Sequence, residues 1–267
     1  MKQKSRTEYS VMNTTVAFLA QTLAIFMGFF TRVVFTRTLS EGYVGINGLF
    51  TDILNILSLS ELGVGTAITY ALYAPIARRD IKKQQILMRM FRNFYRITAG
   101  FVVLAGLCLI PFLDILMKDR PDVNHLIIIY LLYLLNSVVS YLLIYKKTLV
   151  DAHQMNYITV MYHNGFLVLQ DILQIIVLFL TRNFILFLVI AVVCTIIGNI
   201  CMSRKADRLF PYLKEPCKEQ LPQEERHDIL RNVKAMLMHK IGNVVVNNTD
   251  NLLISSFVGI ISAGIYS

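Results

Sequence analysis

Residues 45–80 read GINGLFTDILNILSLSELGVGTAITYALYAPIARRD. The stretch is apolar over more than the roughly 20 residues a helix needs to cross hydrocarbon. It carries two carboxylates, Asp52 and Glu61, and runs into a basic cluster of Arg78, Arg79, Lys82 and Lys83. A carboxylate near the bilayer centre costs about 3 kcal/mol on insertion scales, so it turns toward protein or a water-filled cavity. Asp52 and Glu61 lie nine residues apart. At 3.6 residues per turn that spacing puts them on opposite faces, so one straight helix cannot aim both at one cavity.

The rest of the chain has the same character. Hydrophobic residues make up 55% and charged residues 16%, with a mean hydropathy of +0.57, against roughly a quarter charged in ordinary soluble domains. The apolar residues fall into seven blocks long enough to span: 10–37, 44–73, 94–117, 124–147, 155–181, 184–203 and 236–258. The predicted fold class is therefore all-α and polytopic. The basic start (Lys2, Lys4, Arg6) leads into an apolar run too long for the h-region of a cleaved signal, so the first span is expected to remain as an anchor.

Charge sets the expected orientation. Three Lys and Arg fall in 1–9, seven in 74–96, two in 145–153 and nine in 204–240, leaving only Arg32, Arg37, Lys118, Arg120 and Arg182 elsewhere. This asymmetry places the N-terminus and segment 204–235 in the cytoplasm by the positive-inside rule. It also explains the net charge of +9 without nucleic acid, while basic loops beside spans suit anionic lipid headgroups. The four cysteines, Cys108, Cys194, Cys201 and Cys217, lack metal-ligand spacing. Three read as small buried hydrophobes in spans and Cys217 as a reduced thiol in an inner loop.

Within the opening stretch, Gly45, Gly48-Leu49-Phe50, Glu61-Leu62-Gly63, Ala67-Ile68, Leu72-Tyr73, Pro75-Ile76 and Asp80 form a pattern of fixed spacings. It resembles the second transmembrane helix of bacterial polysaccharide flippases, the Wzx-like branch of the MATE-type exporter superfamily. The resemblance implies six-helix lobes and, as partner, an undecaprenyl-diphosphate-linked oligosaccharide such as an O-antigen precursor for lipopolysaccharide. It further implies the bacterial inner membrane, contact with polysaccharide assembly proteins and no cofactor.

A weak repeat supports two lobes. Shifted by 219 positions, RVVFTRTLSEGYVGI (32–46) overlies NLLISSFVGIISAGI (251–265), and Asn13 overlies Asn232. An even six-span offset predicts parallel lobes related by an axis along the membrane normal. The expected organisation is a six-helix lobe over 1–208, a proline-bearing cytoplasmic linker over 209–223 and the first helix of a second lobe over 224–267. On that reading the sequence stops just inside a longer protein.

Polar stripes inside spans mark the candidate site, because residues spaced i, i+4, i+7 and i+11 share a helix face. The first span aligns Thr14, Gln21, Gly28 and Arg32, the fifth His163, Gln170 and Gln174 with Asp171 beside them, and the seventh Asn243, Asn247 and Asp250. Amides commonly fasten spans together at about 0.6 kcal/mol each, and His163 reads more simply as a satisfied core histidine than as a relay. Charges are too costly to bury for packing alone. The substrate-cavity set is accordingly Arg32, Gln21, His163, Gln170, Asp171, Asn247 and Asp250. Asp171, Asp250 and Glu61 are the ion-coupling set, Glu61 being equally readable as structural. Arg32 suits a diphosphate or, alternatively, a pairing with Asp250.

No P-loop, zinc spacing or loop-borne acid–base cluster is present in the sequence, so the chain reads as a transporter, not an enzyme. A multidrug cation antiporter of the same superfamily and a membrane-embedded polysaccharide polymerase or ligase are the competing readings. A central arginine counts against the first and short outer loops against the second. In a cysteine-free background, a cysteine at position 214 should resist an impermeant thiol reagent in intact cells and react after permeabilisation. Labelling from outside would reverse the orientation.

Overall fold

A computed structural model describes residues 6–57, 64–117, 123, 125–215, 219, 221–232, 234, 235 and 238. Every regular element among them is helical: α1 (Arg6–Thr38), α2 (Glu41–Leu57), α3 (Val64–Ala77), α4 (Ile81–Leu109), a short α5 (Leu113–Leu116), α6 (Leu126–Tyr141), α7 (Ile144–Ala152), α8 (Asn156–Thr181) and α9 (Phe184–Leu209). A further helix, α10, covers 223–232. Among the described residues four helices are long and apolar enough to cross a membrane, and a fifth crossing results if α6 and α7, bent by 40°, count as one. The protein is an all-α, multi-pass membrane protein. The expected span 44–73 is described as α2 and α3 on either side of 58–63, and the expected span 236–258 lies, except for Met238, outside the described residues.

Helix ends follow local chemistry. The Asp80 carboxylate accepts from Lys83 N at 2.9 Å and starts α4 at Ile81, well before its apolar part. Between α8 and α9 the chain turns on two residues, Arg182 in the left-handed region (φ 51°) and Asn183. The Asn183 side chain accepts from Ile185 N at 2.9 Å and Leu186 N at 3.2 Å.

In the bundle, α1 packs along α8, α8 on α9, α9 on α6, and α4 against both α3 and α6, while α7 lies among α3, α4, α8 and α9. One buried cluster joins Phe35, Ile46, Phe50, Val102, Tyr130 and Phe184 near the α8–α9 turn. A second joins Ile68, Leu72, Leu87, Phe91, Leu149 and Ala206 at the basic end. Phe18, Phe26, Phe29 and Phe30 of α1 and Phe101 and Leu104 of α4 remain exposed, as lipid-facing side chains do. Helices α4 and α6 approach so closely that a Cβ on Gly106 would collide with the Leu134 side chain. The Gly106 carbonyl accepts from Tyr130 Oη at 2.8 Å, a small-residue contact with its own hydrogen bond.

The basic end is laced by polar contacts. Lys146 Nζ lies 2.8 Å from Asp207 and 2.9 Å from Ser203 Oγ. Asn13 reaches from α1 to the α7–α8 turn, donating to Gln154 O at 2.9 Å and accepting from Tyr157 N at 2.8 Å. After α9 the chain folds back over the start of α4. There Gln85 donates to Tyr212 O and Tyr212 Oη to Gln84 Oε1, each at 2.6 Å, and Lys83 meets Glu225 at 2.8 Å. Burial pushes the Tyr212 hydroxyl up to about 12, so it remains a donor.

His153, in the α7–α8 turn, donates from Nδ1 to Leu149 O at 2.9 Å and its ring packs 4.4 Å from that of Phe210. Burial lowers its pKa below the usual 6.5, against a smaller opposing effect of the Leu149 carbonyl. Below that pH the unfolded chain binds the proton more readily than the folded one, so stability present above pH 6.5 falls as pH drops toward the lowered folded value. Thermal unfolding of detergent-purified protein should therefore show a declining melting temperature from pH 7 to pH 5. The His153→Phe variant should lose this part of the decline, and identical pH profiles for both proteins would count against it.

Candidate functional site

Two cavities lie end to end inside the bundle. The first, about 300 Å³, opens between α1, α2, α6, α8 and α9 toward the α8–α9 turn. Helix α1 contributes Gly28, Thr31 and Arg32, and α8 contributes Gln170, Asp171 and Gln174. The 3.6-residue repeat makes each set one stripe, and the long α1–α8 contact turns the two stripes toward each other. The Arg32 guanidinium carbon sits 5.9 Å from the centre of the Phe35 ring, within cation–π range. Phe35 packs in turn edge-on against Phe184 and tilted against Phe187, with ring centres 5.6 and 5.2 Å away, an aromatic wall beside the cation.

Several other polar groups of this cavity are tied down. Thr31 Oγ1 donates back to Met27 O at 3.0 Å, Gln174 Nε2 donates to Phe187 O at 2.9 Å, and Tyr133 Oη donates to Asn47 Oδ1. A Cβ built on Gly28 would meet nothing within 4 Å. That glycine does not seat a neighbouring helix; it leaves space beside Arg32.

The second cavity, about 350 Å³, continues toward the basic end and shares Asn136 and Gln170 with the first. Lys147, His163, Thr159, Ser140 and Asn199 line it. Here the α6–α7 span breaks. Leu143 adopts φ 72°, uncommon for a bulky residue, and Asn199 of α9 donates to Val139 O at 2.9 Å, satisfying a carbonyl near the break. Irregular backbone at membrane depth is tolerated where it lines a cavity. At the junction, buried Asn136 Oδ1 has no hydrogen-bond partner among the described residues. Nor do those residues hold any group of three His, Cys, Asp or Glu able to bind a metal.

The structure thus brings Arg32, Gln170 and Asp171 to one cavity and His163 with Gln170 to the next. Gln21 lies apart, at 3.4 Å from Asn164 Nδ2, in the interhelical contact that amides commonly make. Glu61, Asn247 and Asp250 lie outside the described residues, as does any pairing of Arg32 with Asp250. Sequence patterns did not single out Asn47, Tyr133 or Lys147. Lys146 and Lys147 look alike in sequence, yet one pairs with Asp207 and the other lines the cavity.

Residues 10–267 match the family described as polysaccharide biosynthesis protein. The chain belongs to that family. No curated protein and no solved structure matches it. Membership of the polysaccharide biosynthesis protein family assigns this multi-pass protein to polysaccharide biosynthesis and flippase-type transport, in agreement with the sequence-based expectation of an exporter.

An unsatisfied buried acceptor costs about 1–3 kcal/mol. Asn136→Leu should therefore hold or raise the melting temperature of the detergent-purified protein while lowering export, because the junction between the cavities becomes apolar. A clear loss of stability would show that Asn136 serves the packing instead.

Proposed function

We propose that this protein flips an undecaprenyl-diphosphate-linked oligosaccharide across the bacterial inner membrane, from the cytoplasmic to the outer leaflet. The observation that carries the reading is Arg32. It is a guanidinium inside a polar cavity of a multi-pass member of a polysaccharide biosynthesis family, with open space beside it at Gly28. A diphosphate cannot enter hydrocarbon uncompensated, and arginine's planar fork grips two phosphate oxygens at once.

In this mechanism the sugar and diphosphate travel through the polar cavities while the polyprenyl tail stays in lipid. Six-helix MATE-type lobes, the second beginning in 224–267, would open alternately to either side. Without a P-loop the cycle draws on an ion gradient or on removal of product. Asp171, a carboxylate in the Arg32 cavity, is our choice for the proton or sodium site, with Asp250 and Glu61 as further acids of the set. His163, Gln170 and Asn247 would contact the sugar or its water shell.

Export should fall roughly ten- to a hundredfold in Arg32→Ala, the weight of one charged hydrogen-bonded contact at about 1.5–3 kcal/mol. Arg32→Lys should recover part of it, since a point charge replaces the fork. Complementation of a flippase-deficient strain reads export, with protein level and melting temperature measured in parallel. Normal export by well-expressed Arg32→Ala would sink the diphosphate role, and a collapse in protein level reversed by Asp250→Ala would make Arg32 a structural partner.

A further inference from the structure

Helices α4 and α10 enclose a cleft of about 290 Å³ at the basic end, separate from both internal cavities. Its floor is apolar, made by Phe94 and Ile97 of α4 with Leu221 and Leu230, and Arg89 and Arg226 stand at its rim. The exposed face of α4 changes character along its length. Lys82, Arg89 and Arg96 come first at seven-residue spacing, and Ile97, Phe101 and Leu104 follow, each more than half exposed. At 1.5 Å per residue, the 15 residues from Arg89 to Leu104 span about 22 Å, a headgroup layer plus most of one leaflet's hydrocarbon.

We propose that this cleft binds an anionic membrane phospholipid of the phosphatidylglycerol type, its phosphate between Arg89 and Arg226 and one acyl chain along Ile97, Phe101 and Leu104. Charge complementarity selects this occupant. Among the described lining residues two arginines stand against one carboxylate, Glu219, which itself lies 3.7 Å from Lys82 Nζ. A zwitterionic headgroup would bring an ammonium against the arginines, whereas a glycerol headgroup brings only hydroxyls. Bound there, the lipid joins α4 to α10 beside the Lys83–Glu225 ion pair. It fixes the segment that follows α9. This assignment does not depend on which substrate the internal cavities carry.

The sequence contains no tryptophan, so one placed by Phe94→Trp, or by Ile97→Trp should the first variant not fold, reports on the cleft alone. The probes are phosphatidylglycerol and phosphatidylcholine with brominated acyl chains, titrated into the detergent-solubilised full chain. Brominated phosphatidylglycerol should quench at a roughly 25-fold lower concentration than the choline lipid, about fivefold for each arginine, the weight of one basic residue at a charged bilayer surface. Arg89→Gln with Arg226→Gln should abolish that preference, Glu219→Gln should increase it, and added salt should weaken it. Equal quenching by both lipids, or a preference that survives the double substitution, would overturn the proposal. Displacement of the brominated lipid by farnesyl diphosphate at a lower concentration than by unbrominated phosphatidylglycerol would also overturn it, by giving the cleft to a prenyl diphosphate.

Discussion

Hydrocarbon offers no hydrogen-bond partner, and the described helices are arranged to meet that constraint. Polar groups on α1 and α8 cannot face lipid, so the two helices lie along each other with their amide and charged stripes turned inward. The same contact that hides Arg32, Gln170 and Asp171 from lipid creates the cavity they line. Burial and cavity therefore share one cause here. A packed apolar seam between α1 and α8 would leave no such cavity.

The break between α6 and α7 answers the same constraint at the level of the backbone. A span that loses helical hydrogen bonds must find others inside the protein, and Asn199 supplies one to Val139 O. Because α9 provides that bond, the break is held by tertiary structure and sits beside the second cavity. Asn136, between the two cavities, carries an acceptor that the described protein groups leave unmet.

At the basic end the logic changes, because water is available and ion pairs are worth less. Cohesion there comes from several modest contacts acting together. Lys146 with Asp207, Asn13 across the α7–α8 turn, Tyr212 with Gln84, and Lys83 with Glu225 tie α1, α4, α7, α9 and the following segment into one unit.

Much of this was legible in residue order. Apolar block length fixed α1, α8 and α9 to within a few residues, because hydrocarbon thickness dictates helix length whatever the neighbours are. The spacing within α1 and within α8 showed which helix face Arg32 and Gln170 occupy, since 3.6 residues per turn is a local property. Other features were not readable. No proline or glycine marks 137–146, so the bend after Tyr141 has no local signal and depends on α9. Gln21 fits the α1 stripe yet ends at Asn164, because the stripe says which face a residue occupies and not what stands opposite. Lys146 and Lys147 differ only in what each meets across the bundle. The sequence by itself determined that this chain is helical, spans a membrane and carries inward-facing charge. Which of those charges share a cavity was decided by the packing of helices more than a hundred residues apart.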